Sequence, residues 1–506
     1  MPGTLLKRFL RLHLVLLLAA GLAVTGCSRR TGEGYTGPTA RYVFLFIGDG
    51  MGLAQVTAAE SFLKLTRRDT LGFTQFPICV QMTTHSGNSL VTGSASAATA
   101  MATGHKTRNG RVGMDAAAET SYTSISDLAK DAGLKAGIVT SVSLDHATPA
   151  GFYAHQRNRN MYYRIGRDLI NSGIDYAGGG GFVMRTKRGE PDLLDLAREK
   201  GINVVTDRQG FRALRPDGRR VFAVNQVLTY KQAMPYEIDR AKDDLTLADY
   251  TRQGTALLEN KKGFFMMIEA GKIDWACHTN DAGAVVYGVL ALNQAVRVAL
   301  EFMERYPRET LILVTADHET GGLGLTGREA GLGAIGRLAN QKCSGDVFLR
   351  SLHNYRTATP AARARIRDIL PRIKESYGLV KLEPGEEKEL EKQAAKGNWR
   401  ARNKLNKSLR SDDLAQLEEA LQTSIAETEE QRRTRSSIFR RRYGTYDTFL
   451  VTLNRLASRK IGLGWTTYSH TGIPVPVYAR GAGAELFGGK YDNTDLFRKL
   501  KAVMKL

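Results

Sequence analysis

Cysteine is scarce in this chain, with only 4 among 506 residues. Cys27 ends an N-terminal apolar segment, which leaves Cys79, Cys277 and Cys343 in the remainder of the chain. Three cysteines cannot all pair within one chain, so a small fold held together by disulfides is excluded.

Acidic residues are outnumbered by basic ones, 51 to 72, which gives a formal net charge of +21. Such an excess fits a nucleic acid, an anionic membrane surface or an anionic substrate as partner. The basic residues are unevenly spread, with a dense run "RRTRSSIFRRR" at 432–442. The charge therefore indicates contact with anions without choosing among these partners.

The N-terminal apolar run, residues 14–24, is too short for a comfortable membrane span. Lys7, Arg8 and Arg11 precede it and small residues follow. This order is typical of a secretory signal, which is removed from the mature protein.

The end of that segment, "VTGC" at 24–27, resembles the bacterial lipoprotein box. In that case Cys27 becomes the lipidated first residue, residues 28–40 form a tether, and residues 1–27 are the signal. The alternative is an ordinary signal peptide with an incidental cysteine. We expect a secreted lipoprotein, periplasmic or on the cell surface, held to a membrane through Cys27.

From residue 41 onward, apolar strands alternate with helices. "RYVFLFIGDG", "KAGIVTSVS", "GFFMMIEAG" and "ETLILVTADH" each have the pattern of a buried strand. This alternation predicts an α/β fold, a mostly parallel central sheet with helices on both faces. We assign residues 41–340 to this core and residues 461–506 to its C-terminal completion.

Residues 341–460 break that alternation and are rich in Lys, Arg and Glu. "SDDLAQLEEALQTSIAE" has leucines at helical spacing. "TPAARARIRDIL" predicts a helix with Thr359 as N-cap and Pro360 at its first position. The segment is therefore predicted to be a charged helical insertion.

Three of the predicted strands end in carboxylates. Asp49, Glu269 and Asp317 each follow an apolar strand closely. Ligands of open α/β sheets bind at the carboxyl ends of the strands, so these acids are expected along one edge. Singly, each could be a helix cap or a loop hydrogen bond, but three acids gathered together would repel each other without cations.

Histidines accompany these acids. His318 follows Asp317 directly, and Asp274 and His278 are spaced i, i+4, on one face of a helix. A surface ion pair would explain the second spacing as well. Mixed carboxylate and imidazole ligands suit zinc, whereas oxygen ligands suit magnesium.

The stretch "LVTGSASAATAMATG", residues 90–104, has five hydroxyl side chains. A hydroxyl residue at the start of an Ala-rich helix is first of all a cap. A helix N-terminus is also a good place to hold a phosphate. The stretch by itself leaves open whether one of these hydroxyls is a nucleophile.

Several segments together resemble the alkaline phosphatase family. They are "FIGDGMG", "VTGSASAATAMATGHKTRNG", "DHATPAGFYAHQRNRN", "FFMMIEAGKIDWACH", "VTADHETGG", "YSHTG" and "YDNTDLF", in the order of the family. They span residues 41–330 and 462–497 and do not cover the insertion.

This resemblance implies a phosphomonoesterase with two zinc ions and one magnesium ion. Ser94 matches the nucleophile, which would form a phosphoseryl intermediate that is then hydrolysed, and Arg159 matches the arginine that binds the phosphate. The implied metal ligands are Asp274, His278 and His470 for the first zinc, Asp49, Asp317 and His318 for the second, and Asp49, Thr148 and Glu269 for magnesium.

Three residues depart from the family pattern. Gly93 stands where many members have Asp, and His146 and Trp275 stand where some bacterial members have Asp and Lys. His146 and Trp275 flank the magnesium and phosphate sites, so these changes put the third metal in doubt. All the zinc ligands are present.

Two other functions stay open. One is a phosphodiesterase or other ester hydrolase of the same superfamily. The other is a non-enzymatic envelope protein that binds polyanions through the basic run at 432–442. We favour small phosphate monoesters as substrates, with nucleic acid not expected as a partner. The insertion could cover the site or help to form a homodimer.

Overall fold

A computed structural model describes residues 32, 34–326 and 333–506. The predicted signal segment and Cys27 lie outside the described residues. The described part of the predicted tether packs on the protein: the Tyr35 hydroxyl donates to Glu485 Oε1 at 3.0 Å, and the Ala40 amide donates to the Val503 carbonyl at 2.9 Å.

The fold is organised around a ten-stranded sheet with the strand order β16-β2-β15-β8-β1-β7-β3-β4-β6-β5. From β8 to β5 all neighbours are parallel, and β15 is antiparallel to both β8 and β2. The strands are β1 (Tyr42–Ile47), β2 (Ile78–Thr83), β3 (Lys135–Thr140), β4 (Tyr176–Gly179), β5 (Asn203–Val205), β6 (Val221–Val224), β7 (Phe264–Glu269), β8 (Thr310–Thr315), β9 (Glu319–Thr320), β10 (Leu323–Leu325), β11 (Val380–Lys381), β12 (Ser408–Leu409), β13 (Leu463–Trp465), β14 (His470–Thr471), β15 (Val475–Gly481) and β16 (Tyr491–Asp492).

Helices surround this sheet, and the mostly parallel α/β architecture predicted from the sequence is confirmed. The α-helices are α1 (Leu53–Arg67), α2 (Ser94–Thr103), α3 (Ile125–Asp131), α4 (Ala147–Ala150), α5 (Tyr162–Asn171), α6 (Leu193–Glu199), α7 (Arg208–Ala213), α8 (Leu247–Leu258), α9 (Lys272–His278), α10 (Ala282–Arg305), α11 (Gly345–Ser351), α12 (His353–Ala358), α13 (Leu370–Tyr377), α14 (Pro384–Ala395), α15 (Trp399–Lys407), α16 (Ser411–Ala426), α17 (Glu429–Arg433), α18 (Ser437–Tyr443), α19 (Thr448–Lys460) and α20 (Asn493–Met504). Short 3₁₀ helices occur at Gly72–Gln75, Tyr230–Gln232, Glu237–Asp239, Ile335–Asn340, Ala361–Arg363, Ile366–Asp368 and Ala484–Phe487.

The central strands are buried along their whole length. Every residue of β1, β7 and β8 is buried, as expected for parallel strands covered on both sides. Among the described residues one helix, α10, is long and apolar enough to cross a membrane. It packs against α1, α8 and α9 with most of its apolar window buried, which is the environment of a core helix.

Residues 341–460 fold into helices with an apolar core of their own. Phe348, Ile373, Leu417, Leu421 and Phe449 are buried together there. β11 and β12 form a two-residue parallel ladder beside these helices.

The helix predicted at "TPAARARIRDIL" is wrong. Pro360 precedes a 3₁₀ turn, Ala361–Arg363, and a second turn follows at Ile366–Asp368. The regular helix α13 begins only at Leu370. Tertiary packing explains the break, because Ala364 and Ile366 turn inward and are buried, so tertiary contacts override local helix propensity.

Candidate functional site

The carboxyl ends of three adjacent strands bring the predicted acids together. Ile47 at the end of β1 is in register with Glu269 of β7 and with Thr315 of β8. Asp49, Glu269 and Asp317 therefore emerge at the same edge of the sheet, and each is fully buried. The edge is the place where open α/β sheets bind ligands.

The first cluster consists of Asp274, His278 and His470. The ligand atoms of these residues lie within 4.8 Å of one another. His278 Nε2 is 3.3 Å from Asp274 Oδ2, and His470 Nε2 is 3.5 Å from Asp274 Oδ1. Helix α9 supplies the first two side chains on one face, as the i, i+4 spacing predicts. Gly50 lets the neighbouring loop approach: its φ is +74°, and a Cβ there would lie 2.9 Å from the Asp274 Cα.

The second cluster consists of Asp49, Asp317 and His318, all fully buried. His318 Nε2 lies 3.4 Å from Asp49 Oδ1 and 3.2 Å from Asp317 Oδ2. Two carboxylates and an imidazole nitrogen aimed at one point form a donor set of the kind that binds zinc.

Hydrogen bonds at Nδ1 orient all three clustered histidines. Nδ1 of His278 lies 2.5 Å from the Tyr468 carbonyl, and Nδ1 of His470 lies 2.8 Å from the Thr92 carbonyl. A carbonyl only accepts, so in both rings Nδ1 carries the proton. Each Nε2 then directs a lone pair at its cluster, which is the usual arrangement of a metal-binding histidine.

The position of the ring proton in His318 follows in the same way from its contact with Thr320. The Thr320 hydroxyl donates to Asp274 Oδ1 at 2.6 Å, so its oxygen accepts the proton of His318 Nδ1 at 3.2 Å. One threonine thus fixes a carboxylate of the first cluster and an imidazole of the second. The sequence reasoning missed Thr320, although it lies three residues after Asp317 in the matched segment "VTADHETGG".

Asp49 also takes part in a third group, with Glu269, Thr148 and His146. Thr148 Oγ1 donates to Asp49 Oδ2 at 3.3 Å. His146, Asp49 and Glu269 have ligand atoms within 4.8 Å of one another. This brings together the three residues predicted to hold magnesium and places His146 beside them.

His146 has the same tautomer as the three clustered histidines, but it turns its protonated nitrogen toward the neighbouring carboxylate. Burial and the Arg159 charge hold the pKa of His146 well below its usual range, so the ring is neutral. Arg159 Nη2 lies 3.1 Å from His146 Nε2, and a guanidinium can only donate. The ring proton therefore lies on Nδ1, which faces Glu269 Oε1 at 4.0 Å and offers no lone pair to a cation.

The electrostatics of this edge are unbalanced within the described part of the chain. Asp49 Oδ1, Glu269 Oε1 and Asp317 Oδ2 are buried and have no hydrogen-bond partner there. Burial and the nearby carboxylates raise the pKa of Asp49 well above its usual value and that of Asp317 to about 8. Orphaned buried carboxylate oxygens are costly, and divalent cations at these points would satisfy them. The residues present thus fit metal ions.

Ser94 lies beside the second cluster. It is the first residue of helix α2 and is almost fully buried, and its Oγ is 3.3 Å from His318 Nε2. The N-cap is Gly93 and no side chain caps the helix, so the Ser94 hydroxyl is not used as a cap. Ser96 and Thr99 instead bond within the protein, to Asn109 Oδ1 at 2.7 Å and to the Ala95 carbonyl at 2.7 Å.

Asn109 is a second residue that the sequence reasoning missed. Its Oδ1 accepts the Gly93 amide at 2.9 Å and the Ser96 hydroxyl, while its Nδ2 donates to the Val91 carbonyl at 3.1 Å. These bonds fix the turn that leads into Ser94. Its position in the matched segment "ATGHKTRNG" is the only feature of the sequence that points to this role.

Arg159 and Trp275 lie on either side of His146. Arg159 is half-buried, with its guanidinium held by the His146 ring. The Trp275 ring centroid is 6.0 Å from that of His146, and Lys272 Nζ lies 4.6 Å from the Trp275 ring centroid. Trp275 therefore belongs to an aromatic wall next to the third group.

Comparison with known proteins places the chain in one family. The family model described as "Alkaline phosphatase" matches residues 40–506 of this chain. The chain is 29% identical over 471 residues to alkaline phosphatase 3 of Bacillus subtilis, covering 90% of this chain and 87% of that protein.

Solved structures are similar over almost the whole chain. The alkaline phosphatase of Thermus thermophilus has a TM-score of 0.74 and 25% identity, covering 93% of this chain and 92% of that one. A mutant of the alkaline phosphatase from the Antarctic bacterium TAB5, described with Mg bound, has a TM-score of 0.61 and 24% identity, with 93% and 99% covered. With the family match spanning nearly every described residue, this chain belongs to the alkaline phosphatase family and is a phosphomonoesterase enzyme.

Proposed function

We propose that this enzyme hydrolyses phosphate monoesters through a phosphoseryl intermediate on Ser94, at a site that holds two zinc ions and one magnesium ion. The observation that carries the proposal is the contact of 3.3 Å between Ser94 Oγ and His318 Nε2, within a cluster of buried carboxylates. A serine hydroxyl is a weak nucleophile until its surroundings favour ionisation.

Three groups of residues would hold the cations. Asp274, His278 and His470 would bind one zinc, and Asp49, Asp317 and His318 the other; Asp49, Thr148 and Glu269 would bind magnesium. When bound, the cations would supply the positive charge that favours the ionised serine and neutralises the phosphate.

The chain's own residues position the phosphoryl group. The first turn of α2 directs backbone N–H groups at an anion held beside Ser94. Arg159 can donate two parallel hydrogen bonds to phosphate oxygens, a geometry that lysine lacks. The hydrogen bond that Arg159 Nη2 donates to His146 Nε2 keeps the guanidinium turned toward this space.

The reaction has two balanced steps. In the first, a bond forms between Ser94 Oγ and phosphorus while the ester P–O bond breaks, and the alcohol leaves with a proton. In the second, water attacks the phosphorus and the Ser94 Oγ–P bond breaks, which yields inorganic phosphate and restores the hydroxyl.

The test compares p-nitrophenyl phosphate with bis-p-nitrophenyl phosphate on zinc- and magnesium-loaded protein, followed by acid quenching and peptide mass spectrometry. We expect faster turnover of the monoester and a phosphoryl group on the peptide that contains Ser94. Faster turnover of the diester would favour the phosphodiesterase alternative. Turnover with the phosphoryl group on another residue would refute the assignment of Ser94.

The polyanion-binding alternative receives less support from the basic run. Arg433 pairs with Glu429 at 2.5 Å, Arg432 lies 3.7 Å from Asp447 Oδ2, and Arg435 pairs with Glu427. Because acids of the insertion neutralise much of this run, its field on a nucleic acid is reduced.

We also propose that the mature protein is a lipoprotein anchored at Cys27 on the periplasmic side or the cell surface. The "VTGC" segment after a short apolar run supports it. Replacing Cys27 by Ser should release active enzyme from the membrane fraction into the soluble one. Retention of Cys27→Ser in the membrane fraction would contradict the anchor.

A further inference from the structure

A cavity of about 410 Å³ lies between the insertion and the core, apart from the catalytic cluster. Helix α19 forms one wall, and the ladder of β10 and β13 forms another. The residues that matter for its chemistry are Arg442, Arg455, Arg459, Gln416, Trp465 and Tyr468.

The arginines of this cavity are poorly neutralised. Among the ion pairs of the described residues, none involves Arg455 or Arg459, and Arg442 lies 3.9 Å from Glu419 with both side chains exposed. Arg455 is held by neutral groups, with Nε donating to Asn280 Oδ1 at 2.8 Å. Arg459 donates to Gln416 Oε1 at 3.3 Å.

Half-burial makes the unpaired charge of Arg455 costly. Burial lowers the pKa of Arg455, whose guanidinium lies 4.3 Å from the Tyr468 ring centroid. A buried charge is stable when an opposite charge and hydrogen bonds accompany it. The residues that line this cavity supply positive charge. The balancing negative charge would come from a bound ligand.

The geometry points to a second, non-catalytic binding site in this cavity, whose ligand is a small organic phosphate. Guanidinium groups match phosphate oxygens in charge and in hydrogen-bond geometry. The volume falls within the range of small-molecule pockets, roughly 300–1,000 Å³. It therefore leaves room for an organic group beside the phosphate.

The site adjoins the catalytic cluster through two residues. The Tyr468 side chain lines the cavity, while its backbone carbonyl accepts the bond from His278 Nδ1. Asn280, which accepts from Arg455, lies two residues after His278. A ligand in the cavity would thus contact Tyr468, whose carbonyl orients His278 of the first cluster, without entering that cluster.

The test is calorimetric titration of the metal-loaded full-length protein with phenylphosphonate, a phosphate analogue without a cleavable ester bond. We expect two sites. The double substitution Arg442→Gln and Arg459→Gln should weaken the cavity site by roughly ten- to hundredfold, because hydrogen bonds to charged groups are lost. Arg159→Gln should weaken only the catalytic site.

Two controls keep the result interpretable. The pair Arg440→Gln and Arg441→Gln removes the same charge from α18 at positions outside the cavity lining, and it should leave both sites intact. Circular dichroism establishes that each variant is folded.

A single wild-type site lost in Arg159→Gln, or two sites that the cavity variant leaves unchanged, would overturn the inference. A single site lost only in the cavity variant would support the cavity and count against the proposed catalytic site.

Discussion

The sheet edge that carries Asp49, Glu269 and Asp317 and the helical insertion 341–460 both concentrate charge, but they balance it differently. At the sheet edge, buried carboxylate oxygens lack partners within the described protein. In the insertion, outside the cavity lined by Arg442, Arg455 and Arg459, many acids and bases pair with one another, as Arg410 does with Glu387 at 2.9 Å.

This difference distinguishes the candidate functional site at the sheet edge from a region with a structural role. Surface ion pairs are each worth little, and a region that satisfies its own charges needs no ligand to fold. A cluster of buried acids with orphaned oxygens is costly unless bound cations or protons neutralise it. Charge density alone, which is high in both regions, therefore does not identify the functional one.

The largest expected effect lies at the sheet edge. Ser94→Ala should lower kcat for p-nitrophenyl phosphate by about 10³-fold or more, because the nucleophile is removed. Ser96→Ala is the matched control, since this hydroxyl lies in the same helical turn and bonds to Asn109. Equal losses in the two variants would contradict the assignment of Ser94.

In the insertion, replacing one member of a buried ion pair should lower the stability of the protein. Arg435 is buried and pairs with Glu427, and its Nη1 donates to the Tyr446 carbonyl at 2.9 Å. Arg435→Gln should lower the free energy of unfolding by about 3 kcal/mol, because Glu427 loses its partner. The exposed pair of Lys404 and Glu386 gives the control, for which Lys404→Gln should cost less than about 1 kcal/mol. Chemical denaturation measures both.

Arg159 tests how the site holds its substrate. Arg159→Gln should lower kcat/KM by roughly 10²-fold, because preorganised donors to the phosphoryl oxygens are lost. Arg159→Lys should recover part of this loss through its charge alone. Arg157→Gln, an exposed neighbour in the same loop, should leave kcat/KM within about twofold of the wild type. A loss in Arg157→Gln as large as in Arg159→Gln would contradict a specific role for Arg159.

Removing the metals should change how stability depends on pH. Burial raises the pKa of Glu269 to about 7 and that of Asp317 to about 8, above the usual carboxyl values near 4. The folded, metal-free chain therefore binds these protons more tightly than the unfolded chain. Their stabilising contribution is complete below about pH 4 and is lost as the pH rises through about 7 to 8.

Thermal unfolding of stripped and zinc-loaded protein between about pH 5 and pH 8 measures this effect. We expect a fall in Tm of several degrees with rising pH in the stripped protein alone, because bound cations favour the ionised carboxylates. The same fall in both forms would mean that these carboxylates do not face the metals.

Part of the candidate site could be predicted from sequence because its residues follow regular elements, whereas the rest is implied only by the family resemblance. Asp49, Glu269 and Asp317 end parallel strands, so the register of the sheet brings them together. Asp274 and His278 share a helix face. Local periodicity specifies both arrangements.

Other features depend on contacts that are distant in sequence. Thr320 links the first and second clusters through Asp274 and His318, and the tautomer of His146 is decided by Arg159. The break near Pro360 likewise reflects burial against the insertion core. These properties arise from tertiary packing, which residue spacing does not encode.

Zinc titration of metal-stripped protein tests the central claim most directly. Bound zinc per chain and the turnover of p-nitrophenyl phosphate are measured on the same samples, with magnesium present throughout. The account predicts no turnover in the stripped protein and a plateau of activity when two zinc ions are bound per chain. Full turnover in stripped protein, or none with two zinc ions bound, would contradict it.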